Sequence, residues 1–225
     1  SFFRKFRKRL PGNAPEYSQI KNILSTDPDL QMNPELWKDY CTCFVGDAFV
    51  GNFDRYMGNW GYLVSKINPD EPPMPAPIYD NGSTLFPSLS STAMTDVLSN
   101  PKELMKRTLL FPKAAMAIDK NKVAYLDMLS SNFDPAMTLA VRNKVPEIRK
   151  SMPEIQEFID DQTFLSDTKK TFYKTMLQAR LDFVLEPAYE ACCTRTYNQA
   201  AYDRLQNDRN YEEKNFEVNG IRKER

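Results

Sequence analysis

Three residues have the types and spacing to do chemistry. Asp54 and Asn59 stand in 49-FVGNFDRYMGNWGYLV-64, and Asp80 follows in 77-PIYDNGSTL-85. Phosphoryl transfer to a hydroxyl asks little of a protein: one carboxylate to orient the nucleophile and accept its proton, and oxygen ligands for Mg²⁺. An Asp-x-x-x-x-Asn loop followed by an Asp-x-Gly in a strand-like run supplies those groups in that order. Other chemistries are closed off. The chain contains no histidine, which excludes Ser-His-Asp triads, His-containing zinc sites and a histidine base. Acid–base work must fall to carboxylates, Lys, Tyr or Cys. Cys41, Cys43, Cys192 and Cys193 show no C-x-x-C spacing; they read as reduced thiols, with Cys41 in a helix core.

Each of the three also has a plain structural reading. Asp54 could cap a turn. Asn59 and the Asn81-Gly82 pair could be turn chemistry, since Asn-Gly alone is a strong hairpin signal. Order, spacing and the elements around them favour the chemical reading.

Those elements are announced by local signals. Asn33-Pro34, Asn100-Pro101 and Asp134-Pro135 each offer an N-cap side chain followed by proline at the first helical position. Ser151-Met152-Pro153-Glu154 has capping-box spacing. After Asn33, the residues Leu36, Trp37, Tyr40, Cys41, Phe44, Val45, Ala48 and Phe49 make a wide apolar stripe, which predicts a largely buried helix over 34–50. Phe172, Tyr173, Met176, Leu177, Leu181 and Val184 predict another over 168–186, and a further helix is expected across 188–208. Segments 60–66 and 75–80 read as strands joined by the proline-rich 69-PDEPPMPAP-77. The expected fold is mainly α, with one small β-hairpin set just after the long helix.

At 225 residues, with 30 basic against 30 acidic side chains, the chain is long enough for a real core and carries no global field toward nucleic acid or membrane. No apolar run approaches the ~20 residues of a membrane span. The expected location is the cytoplasm. The start, SFFRKFRKRLPG, lacks an initiator Met and reads as the middle of a longer protein. Its basic residues Arg4, Lys5, Arg7, Lys8 and Arg9 read as a solvated helix face, with Phe2, Phe3 and Phe6 packing on the body or on a further lobe.

The run GNFDRYMGNWG followed by PIYDNGS resembles the catalytic core of HipA-like serine/threonine kinases, whose loop is typically Asp-Arg-His-x-x-Asn-x-Gly followed by Tyr-Asp-x-Gly. The resemblance is strong over 45–85 and looser over the helical remainder, which suits a protein-kinase-like C-lobe across 1–225. It implies that Asp54 is the catalytic base and that Asn59 and Asp80 hold Mg²⁺ with ATP. A protein hydroxyl is the implied substrate, and an antitoxin-like partner or a separate small-lobe chain is left open. Tyr56 stands where the family usually has histidine. Nothing N-terminal to the long helix resembles a small lobe: there is no glycine-rich phosphate loop, ATP-binding lysine strand or hinge. The alternatives are a non-catalytic helical interaction module derived from such a lobe, and a phosphatidylinositol-kinase-like lipid kinase. The latter would need a basic loop after Asp80, whereas residues 81–100 contain no Lys or Arg. Ser83, Thr84, Ser88, Ser90, Ser91, Thr92 and Thr95 occupy the place of an activation segment and read either as a plain loop or as a phosphorylated one.

Overall fold

Strand β1 (Phe2–Lys5) and helix α1 (Tyr17–Thr26) precede the long helix α2 (Leu36–Val50). The chain then makes a 3₁₀ turn (Met57–Asn59) and forms β2 (Gly61–Val64) and β3 (Met74–Pro75). Helices α3 (Ser91–Ser99) and α4 (Pro101–Leu109) lead to the ribbon β4 (Ala117–Ile118) and β5 (Asn121–Lys122). Helices α5 (Tyr125–Ser130), α6 (Pro135–Asp160) and α7 (Asp167–Arg180) follow, and a π-helical turn (Leu181–Leu185) joins α7 to α8 (Glu186–Thr194). The computed structural model describes residues 2–5, 15–26, 30, 33, 35–65, 67–68 and 70–194. The part of the expected 188–208 helix beyond Thr194, and Phe6 to Arg9, lie outside them.

The expected helix over 34–50 is α2, beginning at Leu36. Asn33 is not its N-cap; its side chain accepts a hydrogen bond from the Glu35 amide at 2.9 Å and donates to the Pro73 carbonyl at 2.8 Å, tying the helix entry to the hairpin. Ten of the fifteen α2 residues are buried, around most of the helix; only the side carrying Lys38, Asp39, Thr42 and Gly46 is open to solvent. At about 1.5–3 kcal/mol for each large apolar side chain fully buried, this packing, more than helix propensity, holds α2 in place. α2 packs on α6, α7 and the π-helical turn. A second apolar cluster, Phe86, Met94, Val97, Phe172 and Met176, joins α3 to α7.

The other two N-caps are as expected. Asn100 accepts from the Lys102 and Glu103 amides, and Asp134 from the Ala136 and Met137 amides. Ser151 to Glu154 does not start a helix. It lies inside α6, which continues past Pro146 and Pro153. Val145, Met152 and Ile159 are all buried, so one stripe at seven-residue spacing crosses both prolines, and tertiary burial outweighs the lost amide bonds.

Residues 2–5 form a strand, not a helix face. β1 pairs antiparallel with β2, Phe2 opposite Val64 and Lys5 opposite Gly61, in a sheet ordered β1-β2-β3. The expected hairpin is present as β2 and β3, Tyr62 opposite Pro75, but β3 stops at Pro75. The β4–β5 ribbon adds a second sheet to a remainder expected to be all helical.

Asp134 does more than cap α6. Its buried carboxylate also accepts from the Tyr17 hydroxyl, from Lys21 Nζ at 2.6 Å and from Trp37 Nε1 at 3.3 Å, so it joins α1, α2 and α6. Burial alone would raise its pKa; the hydrogen bonds from Lys21, Tyr17 and the Met137 amide outweigh that and hold it below the ordinary value. A depressed folded pKa stabilises the fold above the unfolded value of about 3.9, and that stabilisation is lost as pH falls through the folded pKa. Asp134→Ala removes a cap and orphans buried donors, and is expected to cost about 2–4 kcal/mol at neutral pH. In denaturant melts the gap from wild type should narrow below pH 4; a pH-independent gap would contradict this account.

Candidate active site

The site begins where α2 ends. A helix leaves its last carbonyls without partners, and here those of Asp47, Ala48 and Val50 find ones that fix the following loop. Gly51, with φ of 65°, closes the helix in the left-handed region and its amide bonds the Asp47 carbonyl. The Asn52 amide bonds the same oxygen at 2.9 Å. The Ala48 carbonyl accepts from Arg180 Nε, and the Val50 carbonyl from the Leu85 amide at 3.0 Å. Arg180 is fully buried, with its guanidinium 5.5 Å from the Tyr125 ring centroid. Burial lowers its pKa to about 10. A Cβ on Gly51 would sit 3.4 Å from that guanidinium.

The loop is organised by a pair that sequence reasoning passed over. Asp47 and Arg55 are both buried. Arg55 Nε lies 2.9 Å from Asp47 Oδ2, and its Nη2 2.9 Å from Oδ1. The rest of the guanidinium reaches outward. Nη1 donates to the Asn59 carbonyl at 2.8 Å and to the Tyr79 carbonyl at 2.6 Å, and Nη2 to Asn81 Oδ1 at 2.6 Å. Asn52 Nδ2 gives Asp47 Oδ1 a further bond at 2.9 Å. Burial pulls the Arg55 pKa down, but the hydrogen bonds and charge of Asp47 more than offset this and hold the guanidinium charged. Burial raises the Asp47 carboxyl above its ordinary value, against the lowering effect of Arg55 and Asn52. Neighbouring Cys43 is an inert thiol, pushed up to about 12 by burial and by Asp47. The available signal was Asp47 itself: a charge on a helix flanked by Phe44, Val45, Ala48 and Phe49 must be paired once buried.

This clasp brings the predicted residues into one neighbourhood. Asp54 is half-buried and Asn59 buried. The Asp54 amide is held by Asn52 Oδ1 at 3.0 Å, and the Asn52 carbonyl accepts from the Tyr125 hydroxyl. Asn59 Nδ2 donates to the Asp54 carbonyl at 2.9 Å and faces its carboxylate at 3.4 Å. The amide oxygen of Asn59 is thereby turned away from Asp54. Tyr56 is exposed, and its ring closes over Gly58, where a Cβ would come within 2.4 Å of it.

Asp80 is not at the end of a strand. The segment after β3 is irregular, and Asp80 is exposed with φ of 55°. The reason is its anchoring: Arg55 holds the residues on either side, Tyr79 and Asn81, and the Tyr79 hydroxyl bonds the Gly58 carbonyl at 3.0 Å. These contacts, not a β-ladder, position it. The hydroxyl-rich stretch is likewise no free loop. Leu85 and Phe86 both take positive φ, Phe86 is buried, and Ser90 caps α3 through a bond from the Ala93 amide. Ser91, Thr92 and Thr95 lie within α3.

Among the described residues no group of three or more His, Cys, Asp or Glu is placed to hold a metal. An Asn amide oxygen and one exposed carboxylate are hard donors, the set that suits Mg²⁺ when phosphates and water complete the shell. No helix among the described residues is long and apolar enough to cross a membrane.

The fold and this loop define a mainly helical, protein-kinase-like C-lobe. The chain is 35% identical over 147 residues to the serine/threonine-protein kinase CtkA of Helicobacter pylori, a match covering 65% of this chain and 44% of that protein. A crystal structure of the H. pylori proinflammatory kinase CtkA superposes with a TM-score of 0.75 and 28% identity, covering 83% of this chain and 64% of that one. The chain thus spans less than half the length of its curated relative. No family model matches the sequence.

Proposed function

We propose that residues 1–225 form the catalytic C-lobe of a HipA-like serine/threonine protein kinase that transfers the γ-phosphate of MgATP to a protein hydroxyl. The observation that carries this reading is the Arg55 clasp: one buried side chain binds both the loop bearing Asp54 and Asn59 and the segment bearing Asp80. The likeness to CtkA supports a kinase-like function. In this reading Asp54 accepts a hydrogen bond from the substrate hydroxyl and aligns it with the γ-phosphorus. Asn59, through its amide oxygen, and Asp80, through its carboxylate, hold the metal. Bound Mg²⁺ supplies neutralisation of charge on the phosphates. Two-lobed kinases grip the phosphates from above with backbone amides and a lysine, groups for which the sequence offers no counterpart. Nucleotide affinity of this chain alone is therefore expected to be weak, and to rise when a small lobe is supplied in cis or as a separate chain.

Asp80→Asn tests the metal assignment cleanly, because Asn adopts the left-handed backbone as readily as Asp. Calorimetric titration of ATP, with the small lobe present, should show Mg²⁺-dependent affinity falling by an order of magnitude or more. Binding without Mg²⁺ should hardly change. Equal Mg²⁺ dependence in mutant and wild type would remove Asp80 from the site.

A further inference from the structure

We infer that the cleft beside Phe53 docks an acidic segment of the protein substrate; this deepens the kinase reading and rests on it. The cleft has a volume of about 750 Å³, within the ~300–1,000 Å³ range of ligand pockets. It is walled by α4, by the chain that follows it and by Lys122 of β5. Phe53, on its edge, directly precedes Asp54, so a peptide seated there lies beside the proposed base.

Its chemistry is selective. Phe53 and Phe111 are 37% and 51% exposed and stack on each other with centroids 6.5 Å apart. Phe111 packs in turn on the buried Phe86 at 5.9 Å. An exposed aromatic pair rooted in the core is the kind of anchor that protein interfaces use. The single carboxylate of the lining, Glu103, is matched by Arg107, with Nε 3.0 Å from Oε1. Arg107 also lies over the Phe86 ring at 5.4 Å. Lys106 and Lys122 are exposed and have no ion-pair partner among the described residues. A solvated helix end accounts for Lys106, which sits in the last turn of α4 and complements the helix dipole. It does not account for Lys122, on a separate element, nor for an exposed Phe111. The chain as a whole is charge-balanced, so this surplus is local. Two exposed lysines in one cleft, beside a third, half-buried lysine, Lys113, suit the side chains of Glu or Asp, whereas a polynucleotide calls for a continuous basic stripe.

The test is fluorescence anisotropy on the purified chain without nucleotide, using short labelled peptides with a central serine flanked by Glu or by Lys. The Glu-flanked peptide should bind about tenfold more tightly, with an advantage that shrinks in high salt. K106E/K122E should abolish the preference, K106R/K122R should keep it, and Phe111→Ala should weaken both peptides alike. Thermal melts check folding, and K106Q/K122Q replaces the charge reversal if that variant unfolds. Equal binding of the two peptides would overturn the inference, as would an unchanged preference in both K106E/K122E and K106Q/K122Q. Tighter binding of a single-stranded DNA oligomer than of the acidic peptide would also overturn it. Because no phosphate is transferred in this assay, failure of the kinase reading is scored separately, by Asp54-dependent phosphorylation.

Discussion

Asp54→Asn, in the protein complete with its small lobe, is expected to lower phosphoryl transfer by ~10²–10⁴, the usual scale for a positioned acid–base group. Folding should be nearly unaffected. The Asp54 backbone is held by Asn52 and Asn59, whereas among the described residues its carboxylate has only the 3.4 Å contact to Asn59, too long to contribute much. The loss should therefore fall on kcat, with KM for ATP little changed, as for an interaction made mainly in the transition state. Radiolabelled phosphate transfer alongside a thermal melt separates the two effects. If stability drops in step with activity, Asp54 is a turn cap and the assignment of a base fails.

Arg55→Met should have the largest effect on the fold. It leaves Asp47 buried and without its counter-ion, a change that typically costs about 3–5 kcal/mol. For a chain of this size that is a fall in Tm of about 10 °C or more. The loop bearing Asp54 and Asn59 and the segment bearing Asp80 also lose their common tether, so activity should vanish well below the new Tm. Adding Asp47→Asn should restore much of the stability and little of the activity. The pH dependence has a definite sign. The folded Asp47 pKa is raised above its unfolded value, so the penalty is small when the carboxyl is protonated and grows as pH rises through the folded pKa. The Arg55→Met deficit should accordingly shrink on acidification. An Arg55→Met protein that melts within a degree or two of wild type would show that the site is held by something else.

Much of the architecture was legible because it depends on neighbours only a few positions away. Asn100 and Asp134 cap helices whose free amides lie two and three residues on, and the apolar stripe of α2 is a property of its own turns. The Asp54-to-Asn59 spacing is local in the same sense: a 3₁₀ turn closes the gap and leaves their side chains in contact. The strand expected to carry Asp80 failed for the complementary reason. The β2 pairing ends at the Ala76 amide, which bonds the Gly61 carbonyl at 3.1 Å, and Asp80 takes a left-handed backbone because Arg55, 24 residues before Tyr79, grips the chain on both sides of it. Periodicity in 75–80 carries no trace of that grip.

By itself, then, the sequence determined several of the helices, the long α2 and α7 among them, where two others start, and which three residues could serve phosphoryl transfer, while α1, α3 and α5 carried no signal that was read. The tertiary structure alone decided how those residues are held. It paired Asp47 with Arg55, set Asp134 at the junction of α1, α2 and α6, carried α6 through two prolines, and opened a cleft beside Phe53. The physical reason is distance along the chain. A cap or an apolar stripe is made by residues within a turn of each other. A buried charge or a hydrogen-bonded junction instead takes its partners from elements far apart in sequence, and becomes obligatory only once packing has excluded water from around it.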